Sequence, residues 1–587
     1  MDRIVAALLV LTACLSADAQ NRSPVDLALG PDDAWLVTAN QTSDTVSLVR
    51  TDDGMVLDEV PAGEHPMAVA VTPDGKTVLV TSRDSGELRS FNVEDGKLIA
   101  GGTTFLGFHQ HGVAVSPDGK TAYVALAAAA QVAVVDLQSK EITNRIDVGR
   151  WPRYLALSPD GERLAIGVSG DRGISVVDTI KGEQLFLESV RGINIGHLAA
   201  SRDGKYAYFP WMIYRSTAID RANIQQGWVL ASRLARVQMD EKARREAISL
   251  DERGRAIADP FGIALTSKED RIVVSASGTH ELLYFRNDGL PYQNSGGTDH
   301  IDRRLLADKD RFWRLDLGGR PMGLRMGVDD RTVYIANYLN NSVQLVDIDR
   351  RRIVQTIELG GDEQPSLARR GEAIFHDARF SLDQWYSCHS CHHDGGTNAV
   401  TIDTHNDGST LTYKTVTPLW NLLETAPWTW HGWQKDLRAA MHKSVTSTMM
   451  GPPLGEEDVD ALLAYLESLR PPANPYRQRD GSLTAAAERG KEIFHSAKAA
   501  CADCHNGPHF TDGEIHDVGL SRKSDKYQGY NTPSLIGVHQ KLRLLHDGRA
   551  KSLAEALNGV HAPEAVAGEG KLTDAELADL IAYLKSL

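Results

Sequence analysis

Two short phrases carry the chemistry of this chain: Cys388-His389-Ser390-Cys391-His392 and Cys501-Ala502-Asp503-Cys504-His505. Two thiols three positions apart on one helical turn reach both vinyl groups of a single porphyrin, and the next residue's imidazole then faces the iron. The spacing predicts two covalently bound hemes c, with His392 and His505 as proximal ligands. Zinc knuckles, redox dithiols and structural disulfides also use Cys-x-x-Cys. Zinc requires four ligands, yet Cys391 and Cys501 lie 110 positions apart and each pair carries its own His. A redox dithiol needs neither the second copy nor the His.

The elements around these phrases are duplicated. Arg370-Gly371-Glu372-Ala373-Ile374-Phe375-His376 returns as Arg489-Gly490-Lys491-Glu492-Ile493-Phe494-His495. Each copy leads into its Cys-x-x-Cys-His, then a Thr-Pro phrase (Thr417-Pro418, Thr532-Pro533), then an amphipathic helix around Leu462–Leu466 or Leu580–Leu584. Pro471-Pro472-Ala473-Asn474-Pro475 cannot continue a helix and reads as a stiff linker. The reading is two mainly α-helical heme domains, residues 364–472 and 473–587.

A different repeat occupies residues 20–363. Alternating apolar runs end in turns such as Thr72-Pro73-Asp74-Gly75, Ser116-Pro117-Asp118-Gly119 and Ser158-Pro159-Asp160-Gly161, at a spacing of about 40 residues. This predicts an all-β propeller of seven blades, the fifth and sixth stretched by insertions around 210–257 and 285–315. The phrase resembles the YVTN-type β-propeller family. A propeller is most often a rigid platform, and His65, His109, His111 and His197 fall at its blade edges.

The back half resembles the diheme bacterial cytochrome c peroxidase and MauG family. Leu545-His546-Asp547-Gly548-Arg549 is similar to that family's His-Asp-Gly-Arg segment after the second heme, and Trp428-Thr429-Trp430-His431-Gly432 to the matching segment after the first. The resemblance implies a first heme that reacts with hydrogen peroxide and a second that passes electrons. It also implies a Met, Tyr or His as second-heme distal ligand about fourteen residues past His546, where His561 stands. The acidic residue expected in the first pocket is missing from Leu437-Arg438-Ala439-Ala440, so His431, Glu424 and His442 become the candidates for proton transfer. Met449 or Met450 could instead close the first iron, which would leave a non-enzymatic electron carrier with a propeller dock. Trp420, Trp428, Trp430 and Trp433 are four of the chain's ten Trp and could relay oxidising equivalents. Asp403, Asn406 and Asp407 are the candidates for the Ca²⁺ some relatives hold, against a plain solvated turn. A third possibility is a dehydrogenase-like enzyme with its substrate held by the propeller insertions.

Composition sets the setting. The formal net charge of −15 repels phosphate backbones, which excludes nucleic acid as a partner. Arg3, the apolar run Ile4 to Ala13 and Ala17-Asp18-Ala19 read as a signal peptide over residues 1–19. Leu11-Thr12-Ala13-Cys14 also resembles a lipobox, so Cys14 is either discarded or a lipid anchor. The expected location is the periplasm or beyond. The expected partners are peroxide and a small cytochrome c or cupredoxin, or a protein whose side chain is oxidised.

Overall fold

In the computed structural model the described residues are 21–587 except Glu363 and Arg522; the signal segment and Cys14 lie outside them. Seven antiparallel sheets form in chain order. Blade 1 is Pro24–Leu29, Trp35–Asn40, Thr45–Arg50 and Val56–Pro61, each strand paired with the next. Blades 2, 3 and 4 repeat this pattern over residues 66–105, 110–147 and 152–189. The innermost strands of successive blades pack against one another, and that of blade 1 meets Pro321–Met326 of blade 7, closing the ring. The seven-bladed fold expected from the repeats is borne out.

The repeated turn has a repeated cause. Asp74 accepts from the Thr72 hydroxyl at 2.7 Å and the Lys76 amide at 3.1 Å, and Asp118 accepts from Ser116 and Lys120 at 2.6 and 3.1 Å. Asp160 and Asp203 do the same. The Ser or Thr oxygen then accepts the amide five residues on, which pins the start of the second strand. The fifth blade differs from expectation. Residues 210–257 are not simply an insertion, because Tyr206–Tyr214 and Leu230–Gln238 are two nine-residue strands paired along their whole length. A strand from the next blade's insertion, Gln293–Asn294, adds to this sheet's edge at Glu246–Ser249.

The helical part is built twice. Helix Leu367–Phe375 crosses Glu456–Ser468 in the first copy, and Ala485–Phe494 crosses Asp574–Lys585 in the second. Each crossing rests on one glycine. A Cβ on Gly371 would stand 1.9 Å from the Ala461 carbonyl oxygen, and one on Gly490 would stand 1.9 Å from that of Asp579. That is why the Arg-Gly phrase appears in both copies.

The heme domains dock on the face of the propeller where the inner strands begin. His109 Nε2 lies 2.8 Å from the carbonyl of Ala473 in the Pro-rich linker, and Arg369 donates to the Tyr338 carbonyl at 2.7 Å. Deeper in the channel, His197 packs on Tyr154 and Phe261 with ring centroids 4.4 and 4.7 Å apart. Burial holds both His109 and His197 well below the usual imidazole range, to about 4. The unfolded chain therefore binds two protons that the folded chain refuses between about pH 6.5 and 4. Both states are neutral at these groups above pH 6.5, so stability is lost as pH falls. The loss expected at pH 5 is about 2 kcal/mol per histidine. Thermal unfolding at pH 7 and pH 5, compared with a His197→Phe variant, checks this; the variant should lose less on acidification.

Candidate functional site

Each Cys-x-x-Cys-His forms one short turn at the wall of a cavity. The first is helix Cys388–Cys391, capped reciprocally by Ser387 and Ser390, and the second is the tighter turn Cys501–Asp503. The cavities measure about 440 and 190 Å³ and share a wall of Thr415, Val416, Thr417, Trp430 and Asn531 to Pro533. His392 Nδ1 lies 2.9 Å from the Thr417 carbonyl and His505 Nδ1 lies 3.1 Å from that of Phe510. Each ring thus donates Nδ1–H to a backbone oxygen, which orients it and leaves Nε2 as the free ligand atom.

The donor set fits heme and disfavours the rivals. All four cysteines are unbridged, and burial pushes the Cys388 and Cys391 thiols up to about 12 and Cys501 to about 11. A redox dithiol stabilises the thiolate instead. Among the described residues no group of four candidate ligands gathers around either pair.

His561 lines the second cavity, and its ring centroid stands 6.4 Å from that of His505 with planes at 83°. Two imidazoles on one metal, each bonded at about 2 Å, have centroids roughly 6.3 Å apart. Its buried Nδ1 has no hydrogen-bond partner. The first cavity has no equivalent pair. Met449 lies in its wall, but its sulfur is 3.8 Å from Cys388 Sγ, at the edge where the thioether would form. Met450 adopts a left-handed backbone at φ 52° and takes no place in the wall.

The three proton-transfer candidates separate. His431 is buried in the wall of the first cavity, Nδ1 lies 2.8 Å from the Gly529 carbonyl, and Nε2 is unpartnered. Glu424 is exposed and outside the wall, contrary to expectation. Its turn Leu422–Glu424 starts from Asn421 in a left-handed conformation, which directs Leu422 inward and leaves Glu424 in solvent. His442 also faces away, 3.1 Å from Glu456. Asp403, Asn406 and Asp407 line the first cavity, but the carboxylates cap their own loop, Asp403 accepting from the His405 amide and Asp407 from that of Ser409.

The sequence singled out His431, Trp430 and His546 but not Tyr530, Asp525 or Asp259, which the fold brings to the site. A stack of rings runs from one cavity to the other: His431 on Tyr530 (4.7 Å), Tyr530 on His546 (4.2 Å), and Trp430 edge-on to His546 (6.4 Å). The Tyr530 hydroxyl bonds Asp525 at 2.9 Å and His546 Nε2 at 3.1 Å. Trp430 Nε1 donates to the Thr415 carbonyl at 2.9 Å, in the shared wall. The propeller holds the first heme peptide through Asp259, a buried carboxylate accepting from Ser387 at 2.6 Å and Ser390 at 2.7 Å. Asn194 donates to the Ser390 carbonyl at 2.9 Å, and Arg153 reaches His393 Nε2 at 2.7 Å. Replacing Asp259 with Ala removes the acceptor of two buried hydroxyl donors, at about 1–3 kcal/mol each. The expected outcome is a lower unfolding temperature and reduced heme attachment at Cys388 and Cys391, with the second heme retained, read by peptide mass spectrometry.

Two linked heme cavities, each with its own Cys-x-x-Cys-His, define the class: residues 365–476 match the family model for di-haem cytochrome c peroxidase and residues 487–587 that for cytochrome c. The helical part is a di-haem cytochrome c peroxidase domain followed by a cytochrome c domain, and the protein is a peroxidase-type oxidoreductase with an N-terminal propeller. Among individual proteins, hydrazine synthase subunit gamma of Kuenenia stuttgartiensis is 25% identical over 273 residues, 38% of this chain and 77% of that protein. Methylamine utilization protein MauG of Methylorubrum extorquens is 27% identical over 282 residues, 38% of this chain and 78% of MauG. A solved chain of Kuenenia stuttgartiensis hydrazine synthase shares the fold over 57% of this chain and 98% of its own length, at TM-score 0.50 and 23% identity.

Proposed function

We propose that this is an exported diheme c-type peroxidase in which hydrogen peroxide reacts in the first cavity and electrons arrive through the second. The observation that supports it best is the pair of Cys-x-x-Cys-His cavities sharing one wall, with His431 in the first held through Nδ1 and presenting an unpartnered Nε2. The hemes supply the redox chemistry toward peroxide and the storage of electrons when bound.

This chain's side chains do the rest. His431 keeps its Nδ1 proton on the Gly529 carbonyl, so Nε2 is the lone pair that accepts a proton from peroxide and returns it to the departing oxygen. Trp420 and Trp428 wall the cavity and exclude water, with Trp428 Nε1 anchored to the Leu422 carbonyl at 2.8 Å. His561 opposite His505 closes the second site to small molecules. Trp430 and the ring stack beside it fill the span an electron crosses. Asp259, Asn194 and Arg153 make the propeller a brace for the first heme peptide. The reduced partner is a small cytochrome or cupredoxin, or an oxidisable side chain of a bound protein, and the site of action is the periplasm. The test is steady-state oxidation of a reduced small redox protein by the two-heme protein. Turnover that requires peroxide supports the reading, and no turnover with any reduced donor overturns it.

A second reading rests on the sequence likeness to hydrazine synthase subunit gamma, 25% identical over 273 residues. In it, the first cavity transforms a small nitrogen compound. Formation of hydrazine without peroxide would favour it.

A further inference from the structure

Lys541 is the basic side chain common to the walls of both cavities. The other lysines of the first cavity are engaged elsewhere: Lys414 pairs with Asp525 at 3.1 Å, and Lys443 donates to the Asn406 carbonyl at 2.8 Å and lies over the Trp433 ring. The Lys541 ammonium makes one hydrogen bond, to the Ser534 carbonyl at 3.2 Å. No carboxylate pairs with it among the described residues, and burial alone pushes its pKa down to about 8. An ammonium withdrawn from water without a counter-ion is costly, so a folded protein that keeps one supplies an anion from elsewhere. An ammonium has three donors, and the Ser534 carbonyl uses one.

From this placement we infer that Lys541 is a shared counter-ion for porphyrin propionates, taking a carboxylate from the heme of each cavity on its two remaining donors. The inference rests on the diheme reading above. Propionates are the anionic groups a heme c carries, and the wall shared by the cavities is where one cation reaches both. The charge has a consequence for function. A fixed cation favours the reduced, less positive state of each iron, so Lys541 raises both midpoint potentials together and leaves their difference nearly unchanged. That keeps electron transfer between the hemes balanced while making both easier to reduce.

The test is spectroelectrochemical titration of the fully loaded protein carrying Lys541→Met or Lys541→Arg. Heme content, counted first by the pyridine hemochrome absorbance, keeps the two levels apart. A wild-type protein without two hemes c overturns the diheme reading and this inference with it. With two hemes present, a downward shift of both potentials in Lys541→Met, and little shift in Lys541→Arg, is the expected result. Unchanged potentials in Lys541→Met, or a shift confined to one heme, overturn the shared role and leave the diheme reading intact. If Lys541→Met fails to retain heme, Lys541→Gln removes the charge while keeping a hydrogen-bond donor, and its potentials decide in the same way.

Discussion

Replacing His431 with Gln slows the reaction of the oxidised protein with hydrogen peroxide by about 10²- to 10⁴-fold, the usual range for loss of a positioned proton acceptor. The reason is local. Gly529 holds His431 Nδ1–H and Tyr530 stacks on the ring at 4.7 Å, so its orientation is set before any substrate arrives. Glutamine fills much of the same space without a basic nitrogen. Stopped-flow mixing with peroxide measures the rate, and unchanged heme spectra before mixing show that the cavity survives. Glu424→Gln is the contrast, since Glu424 stands in solvent outside the cavity wall and its loss should leave the rate unchanged. A rate that falls for Glu424→Gln and holds for His431→Gln would reverse the assignment.

A large loss of stability is expected for Gly490→Ala. The added Cβ meets the Asp579 carbonyl oxygen at 1.9 Å and its carbon at 2.6 Å, with Tyr583 Cβ at 2.8 Å. All three atoms belong to the crossing helix, which must therefore move as a unit. Such overpacking costs about 3 kcal/mol or more. Helix Asp574–Lys585 also supplies Leu584 to the second cavity, so its displacement opens that heme site to water. Heating the protein while following the second heme's Soret band shows the effect as a lower transition temperature. Gly570→Ala is the control: its Cβ meets only the flexible Lys498 side chain, at 3.6 Å, and it should be near neutral. Equal transitions for the two variants would mean that the helices do not cross as tightly as described.

What was legible in the sequence follows from how local each signal is. The Pro-Asp-Gly turns announce the blades because Ser or Thr, Asp and the next two amides satisfy one another within six residues. The Cys-x-x-Cys-His turns are equally local, and His561 stands one short helix, Leu553–Leu557, beyond the His546 segment. Asp259 gave no such signal. Its partners lie 128 and 131 positions later, so nothing near it in the chain distinguishes it from a solvated loop acid. Lys541 and the Tyr530 stack are hidden for the same reason, because each acquires its surroundings from segments on both sides of the domain junction. Glu424 was misread for the opposite reason. It became a candidate because Leu437-Arg438-Ala439-Ala440 lacks the expected acid, whereas a turn that starts at a single left-handed residue, Asn421, leaves it in solvent.

The central claim is one open heme site beside one closed by two imidazoles. An electron paramagnetic resonance spectrum of the oxidised two-heme protein, recorded before and after adding hydrogen peroxide, tests it most directly. The expected result is one high-spin ferric signal that vanishes on peroxide addition, together with one low-spin signal from the His505–His561 site. Two low-spin signals indifferent to peroxide, in both the oxidised and half-reduced protein, would contradict it and describe an electron carrier instead.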